Sequence, residues 1–359
     1  MQNNEHIHGA QRQVPREGGL TLLPEKGGGW KGFALRLGGF LLLASASVAY
    51  MIAMPGRSYS GPSAALSDDE LQVAVSLRKD VTYLAAMVGE RNLDRYKNLQ
   101  SAANYIEDSF KSLGFTPQEQ EYTVQGLKAK NIFVEIRGTT LGGEIVVVGA
   151  HYDSVYGCPG ADDNASGVAA LLEITRRLQH AVPARTIRLV AWVNEEPPYF
   201  QTATMGSWVY AKRSHQQKEN IVAAISIETI GMYSDAEGSQ LYPPGFSLFF
   251  PSKGNFVGFV GNLSSRSLVR DAIAEFRKTT QFPSEGVAAP GGMTGVGWSD
   301  HWSFWQERYP AIMITDTAPF RNPNYHKLSD TPETLNYEPM AGVTIGVGKV
   351  VEYLGNKQN

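Results

Sequence analysis

Apolar positions along the chain follow three patterns. The first is an unbroken run, Leu37 to Met54 (LGGFLLLASASVAYMIAM), eighteen residues without a charge. A membrane-spanning helix needs about 20 mostly apolar residues, so this run is just sufficient. The second pattern is helical. Leu99, Ala102, Ala103, Ile106, Phe110 and Leu113 recur at three- and four-residue steps, and Gly114 follows as a natural stop. Related patterns predict helices over Asp68 to Gly89, Leu93 to Leu113, Gly167 to Gln179, Met205 to Arg213, Ser264 to Thr280 and Met340 to Leu354. The third pattern is short and strand-like, at Gln118 to Thr123, Asn131 to Ile136, Glu144 to Ala150, Thr186 to Val193, Ile221 to Ile227 and Ala311 to Thr315. Strands alternating with helices, the central strands apolar on both faces, indicate an α/β sandwich.

Flanking sequence gives the apolar run its meaning. Residues 1–36 are rich in Gly, Gln and Asn, carry Arg12, Arg16, Lys26, Lys31 and Arg36, and predict a disordered basic tail. Residues 37–54 then predict a single transmembrane signal anchor, 55–66 (PGRSYSGPSAAL) a linker, and 67–359 one large domain. Basic residues before the run, with Ser67 to Glu70 (SDDE) beyond it, predict a cytoplasmic amino terminus and an extracytoplasmic catalytic domain. The small residues Ala44 to Ala49 leave a cleaved signal peptide and a secreted product as the alternative. His6 and His8 in the tail are read as solvated. A net charge of -3, from 32 basic and 35 acidic residues, excludes the clustered positive charge of a nucleic-acid partner. Cys158 is the single cysteine, so no internal disulfide and no all-cysteine metal site can form.

Candidate chemistry collects where strands end. His151 follows VVVGA, Glu195 and Glu196 follow IRLVAWV, Glu228 follows AAISI, and His326 lies in the loop after IMIT. Open α/β sheets bind ligands at the carboxyl ends of their strands. Residues two apart in extended chain share a side, so Asp153 can stand behind His151 and hold its tautomer. Asp163 lies in a glycine-rich turn entering a helix, where a carboxylate can bridge two cations about 3.5–4 Å apart. Glu195 and Glu196 project differently, so one can bind metal while the other takes a proton from the activated water.

The succession His-Tyr-Asp (151–153), Gly-Ala-Asp-Asp-Asn-Ala-Ser-Gly (160–167), Asn-Glu-Glu (194–196) and Tyr-His-Lys-Leu-Ser-Asp-Thr (325–331) resembles the co-catalytic zinc aminopeptidase family called M28. The resemblance covers roughly residues 90–355. It implies a mixed, largely parallel β-sheet sandwiched between α-helices and two zinc ions. It also implies hydrolysis at the amino termini of peptides or proteins. By motif, His151 and Glu228 would bind the first zinc, Glu196 and His326 the second, and Asp163 would bridge them. Glu195 would be the general base, supported by Asp153, with Asp162 and Asp330 behind the ligands. Glu228 departs from the family's usual aspartate, although some relatives use glutamate there. A second departure is the insertion after Glu196, PPYFQTATMGSWVY, which is expected to bring Tyr199 and Phe200 to the substrate pocket.

Each feature has a plainer alternative. His151 alone could be structural, Asp162 and Asp163 alone turn and cap residues, and Glu195–Glu196 alone a solvated pair. Their order and placement together favour the site. Ser299-Asp300-His301 is no serine triad, since consecutive residues cannot face one another and no Gly-x-Ser-x-Gly elbow exists. It is read as a helix start near the site, with Asp300 supporting. The sequence therefore predicts a membrane-anchored zinc aminopeptidase. The alternatives are carboxypeptidase or glutaminyl-cyclase-like amide processing, or a catalytically silent binding ectodomain.

Overall fold

The computed structural model describes residues 29–62 and 65–358. The tail through residue 28, with His6, His8, Arg12, Arg16 and Lys26, lies outside the described residues. Two units are present, Met1–Tyr50 and Met51–Asn359. The first contains most of helix α1 (Trp30–Ile52), which begins before the uncharged run. Residues Gly32–Ile52 are long and apolar enough to cross a membrane by length and composition.

The second unit is built on eight strands: β1 (Gln118–Val124), β2 (Leu127–Ile136), β3 (Leu141–His151), β4 (Arg185–Trp192), β5 (Asn220–Glu228), β6 (Val257–Asn262), β7 (Ser284–Ala289) and β8 (Ala311–Thr315). They form one sheet in the order β1-β2-β4-β3-β5-β8-β6-β7. The centre, β4-β3-β5-β8, is parallel, and antiparallel pairings join it to β2 and β6. The sheet is thus mixed and largely parallel, as expected. Two strands, β6 and β7, escaped the pattern because Gly258, Gly261 and Gly286 interrupt their apolar residues.

Helices cover both faces. On one side α2 (Asp68–Val81), α3 (Tyr96–Ser112), α4 (Gly167–Leu178), α6 (Arg266–Thr279) and α8 (Tyr337–Asn356) supply the larger core. The other side holds α5 (Gly206–Gln216) and the short α7 (His301–Gln306). Strand β3 shows why both faces must be covered. Val146 and Val148 enter one core, while Ile145 and Val147 enter the other. Ser67 opens α2 with a reciprocal capping box to Glu70, satisfying two backbone amides at once. Parallel strands put their carboxyl ends on one edge, and that edge carries the ligand candidates.

Candidate metal centre and active site

His151 is the last residue of β3 and Glu228 the last of β5; Glu195 and Glu196 follow β4 directly. Asp163 lies in the segment Ala161–Ser166, whose backbone departs from helical values at Asp163 and Asn164 before α4 begins. Gly160 makes that entry possible, with φ +61 and a Cβ position only 2.3 Å from the Asp163 carbonyl. His326 arrives from the loop after β8.

These side chains converge into two groups that share Asp163: His151, Asp163 and Glu228, and Asp163, Glu196 and His326. His151 Nε2 is 3.3 Å from Asp163 Oδ1 and 3.2 Å from Glu228 Oε2. His326 Nε2 is 3.0 Å from Asp163 Oδ2 and 3.2 Å from Glu196 Oε2. One carboxylate therefore offers an oxygen to each group. Glu195 stands outside both, its Oε2 3.8 Å from His151 Nε2.

Burial dominates the electrostatics. It pushes Glu195 and Glu228 above the usual carboxylate range and Glu196 up to about 8. Burial would lower both histidines, but facing carboxylates reverse that. Glu228 and Glu195 hold His151 well above its ordinary value, and Asp163 and Glu196 hold His326 up at about 10. Asp163 is buried too, yet the histidines on either side draw it below the usual range. The site concentrates negative charge that only protons or cations can balance. Among the described residues His151 Nε2, Asp163 Oδ1 and His326 Nε2 are buried without a hydrogen-bond partner. Buried polar atoms seldom stay unpaired, and imidazole nitrogen with carboxylate oxygen is a zinc donor set. The residues fit that metal.

The supporting residues do more than the sequence foretold. Asp153 accepts hydrogen bonds from the Glu195 and Glu196 amides at 3.2 and 3.1 Å. Its carboxylate is 3.6 Å from His151 Nδ1, farther than its own carbonyl at 3.2 Å. Asp330 accepts from the Asp162 and Asp163 amides, and Asp162 accepts from Gly231 and Asn322. Asp300 is buried and close enough to Glu195 to help raise it. Three residues were not anticipated. Ser299 donates to Glu228 at 2.7 Å, Asn164 ties its loop to Ile227 and Thr229, and buried Arg91 binds the carbonyls of Tyr152, Pro159 and Gly160. Positive φ at Asn194, Thr229 and His326 marks the same places. Left-handed backbone outside glycine clusters at functional sites.

The family model described as Peptidase family M28 matches residues 131–351. The chain belongs to peptidase family M28. It is a zinc metallopeptidase of the aminopeptidase kind. The M28 chain is 40% identical over 280 residues to the uncharacterized protein YfbL of Escherichia coli K12, covering 76% of this chain and 85% of that one. It is 33% identical over 145 residues to an aminopeptidase of Pseudomonas aeruginosa UCBPP-PA14, covering 40% of this chain and only 24% of that longer protein. BSAP, a zinc aminopeptidase from Bacillus subtilis, shares the fold at a TM-score of 0.62 and 15% identity, over 79% of this chain and 95% of its own.

Beside the M28 site opens a largely apolar cavity of about 110 Å³, with Glu228 at one end and Phe246, Phe250, Phe256, Trp298 and Phe320 among its walls. Tyr199 and Phe200 are half-buried and do not line it. Tyr199 packs against the main core instead. Cys158 belongs to neither ligand group; its thiol, pushed up to about 12 by burial, faces the Lys327 carbonyl.

Proposed function

We propose that the chain is a membrane-anchored exopeptidase that hydrolyses the amino-terminal bond of peptides or proteins with two zinc ions. Its amino terminus is cytoplasmic and its catalytic domain extracytoplasmic. One observation carries the site reading: Asp163 turns its two oxygens to two different histidines, while Glu195 remains outside both groups. His151 and Glu228 would hold one ion, Glu196 and His326 the other, and Asp163 both. When bound, zinc polarises the scissile carbonyl and makes water acidic enough to attack near neutral pH.

The chain's own residues handle the protons and the geometry. Glu195 takes the proton from the attacking water and delivers it to the leaving amine. Burial raises its carboxyl, which makes the carboxylate a stronger proton acceptor for that transfer. Asp153 fixes the direction of Glu195 and Glu196 by holding both amides. The buried site excludes bulk water, which strengthens each of these interactions.

Glu195→Gln keeps the shape and removes the base. It should lower kcat by about 10²–10⁴ while bound zinc stays at the wild-type level. Wild-type turnover in that variant would remove Glu195 from the mechanism. Offering the same peptides with free and acetylated amino termini tests the exopeptidase reading. Equal cleavage of both would exclude an aminopeptidase.

A further inference from the structure

The apolar cavity does not stop at the metal-ligand edge. Strand pairing places four residues in one row across the sheet: Glu228 opposite Thr315, Thr315 opposite Gly258, and Gly258 opposite Glu285. All four line the cavity. Paired residues share a face, so both glutamates rise from the same floor, three strand spacings apart, or about 14 Å. The adjacent row, Met313, Val260 and Val287, is apolar and lines the cavity too. Gly258 puts no side chain on the floor between the two acids. The result is a trough with the candidate metal centre at one end and a carboxylate at the other.

Glu285 is half-buried and forms no ion pair among the described residues. Arg277 lies near but spends its donors on the Ser284 hydroxyl and carbonyl and on the carbonyls of Pro55 and Gly56. Burial pushes the Glu285 carboxyl up, with Arg277 and Ser58 offsetting this in part. An acid at the end of an apolar trough gains most from a cation that brings its own apolar stem. Lysine and arginine have that construction, three or four methylenes ending in a charge. The cavity has room, since about 10–15 Å³ already holds one water.

We propose that Glu285 selects the amino-terminal residue of the substrate, and that the trough takes lysine or arginine there, with the methylenes over Gly258 and the cationic tip on Glu285. This rests on the exopeptidase reading above. It assigns Glu285 a part in specificity and none in bond cleavage.

Lysyl and norleucyl 4-nitroanilides test it, because the two differ chiefly in the terminal ammonium. The wild-type protein should prefer lysyl to norleucyl in kcat/KM by about tenfold or more, the order expected for a hydrogen bond to a charged group. Glu285→Gln should collapse that ratio towards one, and Glu285→Lys should shift preference to glutamyl 4-nitroanilide. Gly258→Val should lower lysyl and norleucyl cleavage together by filling the floor. Norleucyl preference in the wild type, or a ratio unchanged in Glu285→Gln at wild-type zinc content, overturns the assignment. Failure to cleave any of these substrates would instead defeat the exopeptidase reading and this inference with it.

Discussion

Asp163 and the two histidines around it set the proton balance of the whole site. At pH 7 and without a cation, His326, held at about 10, and Glu196, at about 8, both carry protons. His151, well above its ordinary value, carries one too. A metal can bind only where these donors give their protons up, so zinc loading must release protons. The sign follows directly. Apparent zinc affinity should rise between pH 6 and pH 8, where Glu196 and both histidines still hold protons, and rise less steeply once Glu196 passes about 8 and His326 about 10. Titration of zinc in buffers of different ionisation enthalpy measures the release. A flat affinity from pH 6 to 8, with no protons released, would mean that the carboxylates do not crowd the histidines as described.

Between elements, close approach of backbones decides which substitutions the fold accepts, and two glycine-to-alanine changes should have opposite signs. Gly167 opens α4 where the Asp163 loop meets β5. A Cβ there would lie 2.3 Å from Asn164 Oδ1 and 2.5 Å from the Ile227 carbonyl. Asn164 joins the loop to β5, so it cannot move freely. Gly167→Ala should cost about 1–3 kcal/mol as overpacking and weaken zinc binding with it. Gly348, in α8, offers a Cβ ordinary contact at 3.8 Å from Ile174. Gly348→Ala should stabilise by about 0.5–1 kcal/mol through helix propensity. Urea unfolding of the two variants decides it, and equal effects would refute the close-approach argument.

The same contrast explains what could be seen in advance. His151, Glu195, Glu196 and Glu228 sit at the ends of apolar strands whose patterns are local, so their placement was legible. The place of Asp163, shared by both groups, was legible from its turn and the helix after it. Asn164, Arg91 and Ser299 were not. Ser299 reaches Glu228 across 71 residues, and Arg91 holds the Gly160 carbonyl across 69. No local period announces such contacts. Glu285 depends on β6 and β7, and glycines hid both strands. The insertion after Glu196 was expected to wall the substrate pocket, whereas the wall of the apolar cavity comes from the 240–260 and 285–320 regions.

For the molecule as a whole, the segment after the apolar helix is part of the catalytic unit's construction. Strand β7 ends the sheet, and an open edge strand invites pairing with other chains. Residues 53–58 cover its start and bind α6 beside it. Arg270 donates to the Ala53 carbonyl, Arg277 to those of Pro55 and Gly56, and the Ser284 amide to the Ser58 hydroxyl. The Met54 side chain lies where a Cβ on Gly286 would be. A chain begun at Met51 keeps these contacts, and one begun at Ser60 loses all of them. The loss is of order 2–3 kcal/mol from partly exposed hydrogen bonds, or about 5 °C in melting temperature for a unit of this size. The shorter chain should also self-associate through the bared edge. Equal melting temperatures and equal sedimentation for the two chains would show that the segment is a mere tether. A difference in the expected direction would mean that cutting the chain between the apolar helix and residue 60 also exposes the edge strand that carries Glu285.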